Sequence, residues 1–504
     1  MIQQFRFCVL TLLWAFSLSL LVLAESHASE NTFQVRFAES VHNQPFTGRV
    51  YLIFTRSQRE PRLGPSWFQP EMFLSRDVVN WQPGEILDFT PKSKGLLSFP
   101  KPLSEMNLTK YRAQAVARFN DLDPNVGTAP GNGFSQALTI PANRNQKTPL
   151  FIIDKLVPQK TYKNTRWSKL IKVRSALLSE FHGRNTYLEA TVLLPQSYYL
   201  QNQRKYPMIY SIPGFGGDHF RGRRETPVSE KNEDDVEFIR VFLNPKCRWG
   251  HHVFADSANN GPVGKALTTE FLPELEKTYR AIPHQRARFL TGHSSGGWSS
   301  LWLQVTYPDT FGGTWSTAPD PVDFRDFQQI NLYDQNDNMY RDASKQARPI
   351  ARMKQSPILW YESFSKMEHV LGHGGQLRSF EAVFSPRGKD GAPMKLYDRK
   401  TGNINPDVAE TWKAYDIRLI LETNWIELLP QLDGKIHVFM GDQDTFYLEG
   451  ATILLKKSLA NLGGHAVVEI HPGKNHSSLI SKDLLLRIRK EMVQSFLKHQ
   501  PEIK

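Results

Sequence analysis

Cysteine is nearly absent: the 504 residues contain two. Cys8 lies in an N-terminal apolar run and Cys247 stands alone in "NPKCRWG", which excludes an internal disulfide framework and a cysteine zinc cluster. Stability must then come from hydrophobic cores. Cys247 has no neighbouring base in sequence and reads as a structural thiol, not a catalytic one. Internal repeats and low-complexity tracts are also missing. That argues against a propeller architecture, because the roughly 120 residues between the N-terminal apolar run and the texture change near residue 150 are too few for a set of four-stranded blades. Charge of one sign is not concentrated anywhere. The 62 Lys and Arg against 50 Asp and Glu leave +12, spread along the chain, and "RGRR" at Arg221 to Arg224 is short. No motif for nucleic-acid recognition accompanies it. A dispersed positive surface fits at most loose association with anionic polymers, lipid head groups or acidic substrates.

Long apolar runs occur once. "MIQQFRFCVLTLLWAFSLSLLVLAESHASE" places Arg6 ahead of an apolar stretch from Phe7 to Leu23, with Ala24 and Ala28 as small cleavage positions. This is the layout of a secretory signal over residues 1–28, and it predicts a secreted or periplasmic protein. The competing reading is a retained anchor, since the run approaches the length that spans a bilayer. The cleavage positions and the lack of a second span favour the signal, so no stable membrane span is expected after cleavage. No cysteine follows the run at a small-residue site, which argues against a lipoprotein anchor.

What remains has the makeup of a folded protein, with 40% hydrophobic and 12% aromatic residues. Residues 31–150 read as short, partly alternating strands separated by Pro, Gly and Asn ("TFQVRFAE", "GRVYLIFTR", "KYRAQAVARFN"), the pattern of a small all-β, immunoglobulin-like sandwich. Trp67 and Phe68 in "GPSWFQPEMF" are read as packing or loop residues rather than a carbohydrate platform. A linker is expected around Thr148 to Ser168. From about residue 165 to the end, apolar strands before glycine-rich turns alternate with helical segments, which predicts an α/β domain with a mostly parallel sheet. Less regular text at about 319–434 is too long for a bare loop and predicts an inserted, lid-like segment of helices and a hairpin. A last helix is expected from about Lys482 to His499, with Leu484, Ile488, Met492 and Phe496 on its buried face.

The stretch "RFLTGHSSGGWSSLW" carries the chemistry. Gly292, Ser294 and Gly296 fit G-x-S-x-G between an apolar strand and a helix, the setting in which a serine sits on a strained turn as a nucleophile. A serine hydroxyl needs an imidazole to take its proton, and the imidazole needs a carboxylate to fix its tautomer. Both follow in the chain. "HVFMGDQDTFY" leaves Asp442 and Asp444 at a strand's carboxyl edge, and Asp444 is preferred because Asp442 can cap the turn. "IHPGKNHSSLI" offers His471 and His476, and His476, on a loop before the last helix, is preferred. Ser295 supplies one backbone N–H for an oxyanion hole, and Phe215 in "YSIPGFGGDHF" the other. His369 and His373 stand four apart but lack a third ligand, so no metal or other cofactor is expected.

The segments "LEATVLLPQSYY", "KYPMIYSIPGFGG", "GHSSGGWSSLWLQVTYPDTFGG", "GDQDTFY" and "PGKNHSS" resemble the esterase family of the α/β-hydrolase fold, whose members include esterase D, feruloyl and acetylxylan esterases, enterochelin esterases and mycolyltransferases. The resemblance runs from about Thr186 to the end and implies an α/β-hydrolase domain, the triad Ser294, Asp444 and His476, and an oxyanion donor at Phe215. It does not reach residues 31–150 or the insertion. The expected function is a serine carboxylic-ester hydrolase working through an acyl-enzyme on a small-molecule or carbohydrate-linked ester. An acyltransferase with the same triad and a noncatalytic binding protein on the same fold are the alternatives.

Overall fold

The computed structural model describes residues 31–64, 66–68, 70–141, 148–227 and 235–499; the expected signal segment lies outside them. The second half is built on an eight-stranded sheet in the order Ser168–Ser175, Thr186–Leu193, Ile239–Leu243, Met208–Ile212, Arg288–His293, Gly313–Thr317, Ile436–Gly441, Val467–His471. Pairing is antiparallel through the first three strands and parallel across the remaining five. The central strands are apolar on both faces because helices cover both. One layer packs Phe254, Leu267, Phe271 and Leu275 against Tyr210 and Leu290. The other packs Leu484, Ile488, Met492 and Phe496 of helix Lys482–His499 against Phe289, Trp315 and Phe439. Both the α/β class and that last helix agree with the sequence.

Helix Ser295–Thr306 is buried along nearly its whole length. A helix with no solvated face needs a cover on each side. The outer cover is the segment after strand Gly313–Thr317, which forms a hairpin, Pro349–Met353 with Ser356–Trp360, and four helices, Tyr361–Leu371, Gln376–Phe384, Pro406–Trp412 and Ile417–Leu432. Trp298 and Trp302 stack at 5.1 Å and meet Phe384 and Tyr415 of that segment.

The N-terminal strands form one nine-stranded sheet, not two separate ones. Its path runs Leu87–Phe89, Phe33–Phe37, Leu150–Leu156, Gly133–Ser135, Arg112–Ala117, Phe46–Thr55, Phe73–Trp81, Leu97–Phe99, with Leu138–Thr139 on Arg112–Ala117. The sheet rolls over on itself, so that Phe33 meets Phe54 at 5.5 Å although three strands separate theirs. Two particulars differ from the sequence reading. Strand Leu150–Leu156, assigned there to the linker, lies inside the sheet and pairs parallel with Phe33–Phe37. Its alternating "LFIIDKL" buries only Phe151 and Ile153, which made it look like connecting chain.

The outer face of this sheet is not free. Tyr51, Ile53, Phe73 and Phe99 share a core with Phe364, Met367 and Val370 of helix Tyr361–Leu371. The last carbonyls of a helix have no partner within it. Here Arg49 donates to the His369 and Val370 oxygens at 3.1 Å each, Ser75 to Val370 at 2.7 Å and Tyr51 to Leu371 at 2.6 Å. The guanidinium also places positive charge at the negative end of the helix dipole.

Candidate active site

Ser294 lies between strand Arg288–His293 and helix Ser295–Thr306 with φ 60° and ψ −127°. A non-glycine residue there costs about 1–3 kcal/mol, which the surrounding packing must offset. The neighbours are small because the turn leaves no room. A Cβ on Gly292 would come within 2.0 Å of the Gly296 carbonyl oxygen, and one on Gly296 within 2.0 Å of the Ile212 oxygen. The Ser294 N–H donates to the Thr317 oxygen at 3.1 Å, pinning the turn to the adjacent strand.

Asp444 follows strand Ile436–Gly441 and is fully buried. Its Oδ1 accepts the Phe446 N–H at 2.8 Å, and its Oδ2 lies 2.7 Å from His476 Nδ1. With a proton on Nδ1, the carboxylate fixes the tautomer that leaves Nε2 with a lone pair. Among the described residues His476 Nε2 has no hydrogen-bond partner, and His476 and Ser294 line the same cavity. The Ser294 hydroxyl donates to Asp320 Oδ1 across 3.5 Å, not to His476. Contacts between a nucleophile and its base are often long in a site without substrate.

The two alternatives left open by the sequence sit elsewhere. Asp442 Oδ1 accepts the Gly473 N–H at 2.7 Å and ties two loops together. His471 ends strand Val467–His471 with its Nε2 3.5 Å from Glu469. Phe215 follows strand Met208–Ile212, and no hydrogen bond to its N–H forms among the described residues. A Cβ on Gly214, next to it, would lie 3.1 Å from Ser294 Cβ. Ser295 is the first residue of its helix, where a backbone N–H lacks an intrahelical acceptor.

Three contributors had no local sequence signal. His293 stacks obliquely on His476, with ring centres 4.5 Å apart, and burial together with that neighbour pushes it down to about 4, so it stays neutral. Asp320, just past strand Gly313–Thr317, is buried against the Ser294 turn, and burial pushes its carboxyl up to about 6. Trp67 comes from the N-terminal half; it stacks on Phe215 at 5.5 Å and meets Phe364 and Phe446 edge-on. Phe446 in turn lies edge-on to His476 at 4.9 Å. The cavity of ≈ 560 Å³ thus has walls from both halves of the chain and from the segment after Gly313–Thr317. That volume suits a small organic molecule. His373, the other member of the His369 pair, sits 2.9 Å from Asp121 of the N-terminal half.

The family model described as "Putative esterase" matches residues 183–452, more than half of the chain. The chain belongs to this esterase family. Membership supports ester hydrolysis. No curated protein matches the chain. Solved structures similar to this esterase-family chain include an S-formylglutathione hydrolase from Agrobacterium tumefaciens, at 13% identity and TM-score 0.39, covering 65% of this chain and 96% of that one. A fluorophosphonate-binding serine hydrolase of Staphylococcus aureus is similar at 13% identity and TM-score 0.38, with 66% and 99% covered. A ferulic acid esterase from Anaeromyces mucronatus, in complex with ferulic acid, is similar at 14% identity and TM-score 0.32, with 64% and 89% covered.

Proposed function

We propose that this chain is an exported serine esterase, with Ser294 as nucleophile, His476 as general base and then acid, and Asp444 holding the imidazole. The observation that carries the reading is the 2.7 Å pair of His476 and buried Asp444, opening onto the cavity that holds Ser294 on its strained turn. In this reading Ser294 Oγ bonds to the ester carbonyl carbon while His476 Nε2 takes the hydroxyl proton. The carbonyl oxygen becomes an oxyanion that accepts hydrogen bonds from the Phe215 and Ser295 N–H groups. Collapse breaks the bond to the alkoxy oxygen, which leaves as an alcohol with the proton from His476. Water, deprotonated by His476, then attacks the acyl carbon; the Ser294 bond breaks and the carboxylic acid is released.

Residues 1–28 act as the export signal in this reading, and the rolled N-terminal sheet, which runs on through strand Leu150–Leu156, acts as an accessory unit that supplies Trp67 to the cavity wall. The substrate is a small-molecule ester, either free or linked to a carbohydrate.

The test is hydrolysis of 4-nitrophenyl butyrate by the mature protein and by Ser294→Ala. Loss of a triad serine is expected to remove activity by a factor on the order of 10⁴ or more. Equal activity in the two proteins, or none in either, overturns the reading in favour of another nucleophile or of a binding protein. Diversion of the acyl group to an added alcohol, at constant nitrophenol release, would identify a transferase.

A further inference from the structure

The esterase mechanism uses one carboxylate, Asp444, and leaves a second unexplained. Asp320 is only 5% exposed, lines the cavity and forms no ion pair among the described residues. Its own N–H donates to the Ser294 carbonyl oxygen at 3.3 Å. Oδ2 accepts the Ser295 hydroxyl at 2.5 Å and the Gln376 amide at 3.4 Å. Oδ1 has only the 3.5 Å contact with the Ser294 hydroxyl, and Gln376 keeps its Oε1 buried without a partner. This end of the cavity therefore presents two acceptors that are short of donors. Buried carboxylates are normally paired, because an unpaired charge in a poorly polar site is costly.

An ionised Asp320 would also act against the chemistry. It lies 3.5 Å from the oxygen that attacks the ester, and its negative charge repels the oxyanion that develops nearby. A substrate that carries its own cation removes this penalty and supplies the missing donors. The position of the cation follows from the geometry. A nitrogen on the carbon next to the acyl carbonyl lies roughly 2.5 Å from the carbonyl carbon, short enough to reach Asp320 while that carbon bonds to Ser294. For the rest of the acyl group the same cavity offers an apolar lining of Ile350, Leu359, Phe364, Phe380 and Phe446.

We propose that Asp320, with Gln376, is the recognition site for a protonated α-amino group, and that the preferred substrates are esters of amino acids with apolar side chains. The inference rests on the serine esterase reading above. Because the ammonium offsets a repulsion that is greatest in the transition state, it acts on kcat/KM and not on binding alone. Burial pushes the Asp320 carboxyl up to about 6, so near neutral pH it is mostly ionised and an ammonium group meets a charge there.

The test compares L-phenylalanine methyl ester, its N-acetyl derivative and methyl 3-phenylpropanoate, with acid release followed by chromatography. The free amine is expected to exceed both others in kcat/KM by at least tenfold. The ratio of the amine ester to methyl 3-phenylpropanoate is expected to fall at least tenfold in Asp320→Asn, which cancels the intrinsic reactivity of each ester. A second measurement needs no variant: 2-phenylethylamine should inhibit 4-nitrophenyl butyrate hydrolysis at least tenfold more tightly than 2-phenylethanol. Equal inhibition, or an unchanged ratio in Asp320→Asn, overturns the inference while 4-nitrophenyl butyrate is still hydrolysed. Inertness toward every ester, nitrophenyl butyrate included, overturns the esterase reading and this inference with it.

Discussion

Replacing Asp444 by Asn separates the charge of this residue from its shape. Asn keeps an oxygen to accept the Phe446 N–H, now bonded at 2.8 Å, so the turn after strand Ile436–Gly441 is expected to hold. Its amide nitrogen then faces His476 Nδ1, which lies 2.7 Å from Oδ2 in the native chain. Nδ1 must become the acceptor, and the ring proton moves to Nε2, where a base is needed. The lost charge adds to this. An imidazolium and a carboxylate with charge centres about 4 Å apart attract by about 4 kcal/mol at an effective dielectric constant near 20. That alone corresponds to roughly three powers of ten in rate. With the tautomer inverted as well, kcat is expected to drop by about 10³–10⁴. Asp442→Asn is the matched control, since Asn can still accept the Gly473 N–H, and its activity should stay within about threefold. Both variants are assayed by nitrophenyl butyrate hydrolysis, with thermal unfolding run in parallel. An Asp444→Asn protein that unfolds at the native temperature and keeps more than a tenth of its activity would refute the assignment. A collapse in Asp442→Asn instead would transfer the role to that residue.

Two further outcomes follow from the packing. Gly296→Ala forces a methyl to within 2.0 Å of the Ile212 carbonyl oxygen, a backbone atom that cannot swing aside, and should lower stability by about 3 kcal/mol or more in urea unfolding. A loss below about 1 kcal/mol would mean that the strand and helix can separate. Desolvation of the half-buried Cys247 side chain pushes its thiol up to about 12, so the reactive thiolate is scarce near neutral pH and a disulfide reagent should label the folded protein far more slowly than the unfolded chain. Fast labelling of the folded protein would contradict that burial.

The candidates for nucleophile, base and acid are legible because each rests on local chemistry: glycines beside a serine at a strand-to-helix turn, and a carboxylate and an imidazole just past apolar strands. The preference for Asp444 over Asp442 rests on the habit of the first acid after a glycine to cap its turn; Asp442 instead accepts the Gly473 N–H of a second loop, while Asp444 meets His476. Asp320 could not be found so. In "STAPDPVDF" it looks like any loop acid, and only the pairing of strands Arg288–His293 and Gly313–Thr317 brings it to Ser294. Trp67 was hidden for a similar reason. Its contacts with Phe215, Phe364 and Phe446 span well over a hundred residues of chain, and no periodicity records them. The rolled sheet was half visible. Alternation marked its strands, while the parallel partnership of Leu150–Leu156 with Phe33–Phe37 depends on a return across the whole unit.

The bonds from Arg49, Tyr51 and Ser75 to the end of helix Tyr361–Leu371 bear on how this protein can be re-engineered. Grafting the hydrolase half onto a foreign partner would strip that helix of its terminal donors and remove the indole above Phe215 in one step. Variation in what the pocket accepts is therefore to be sought in coordinated exchanges on both sides of that seam, and libraries confined to residues near Ser294 would leave out Trp67.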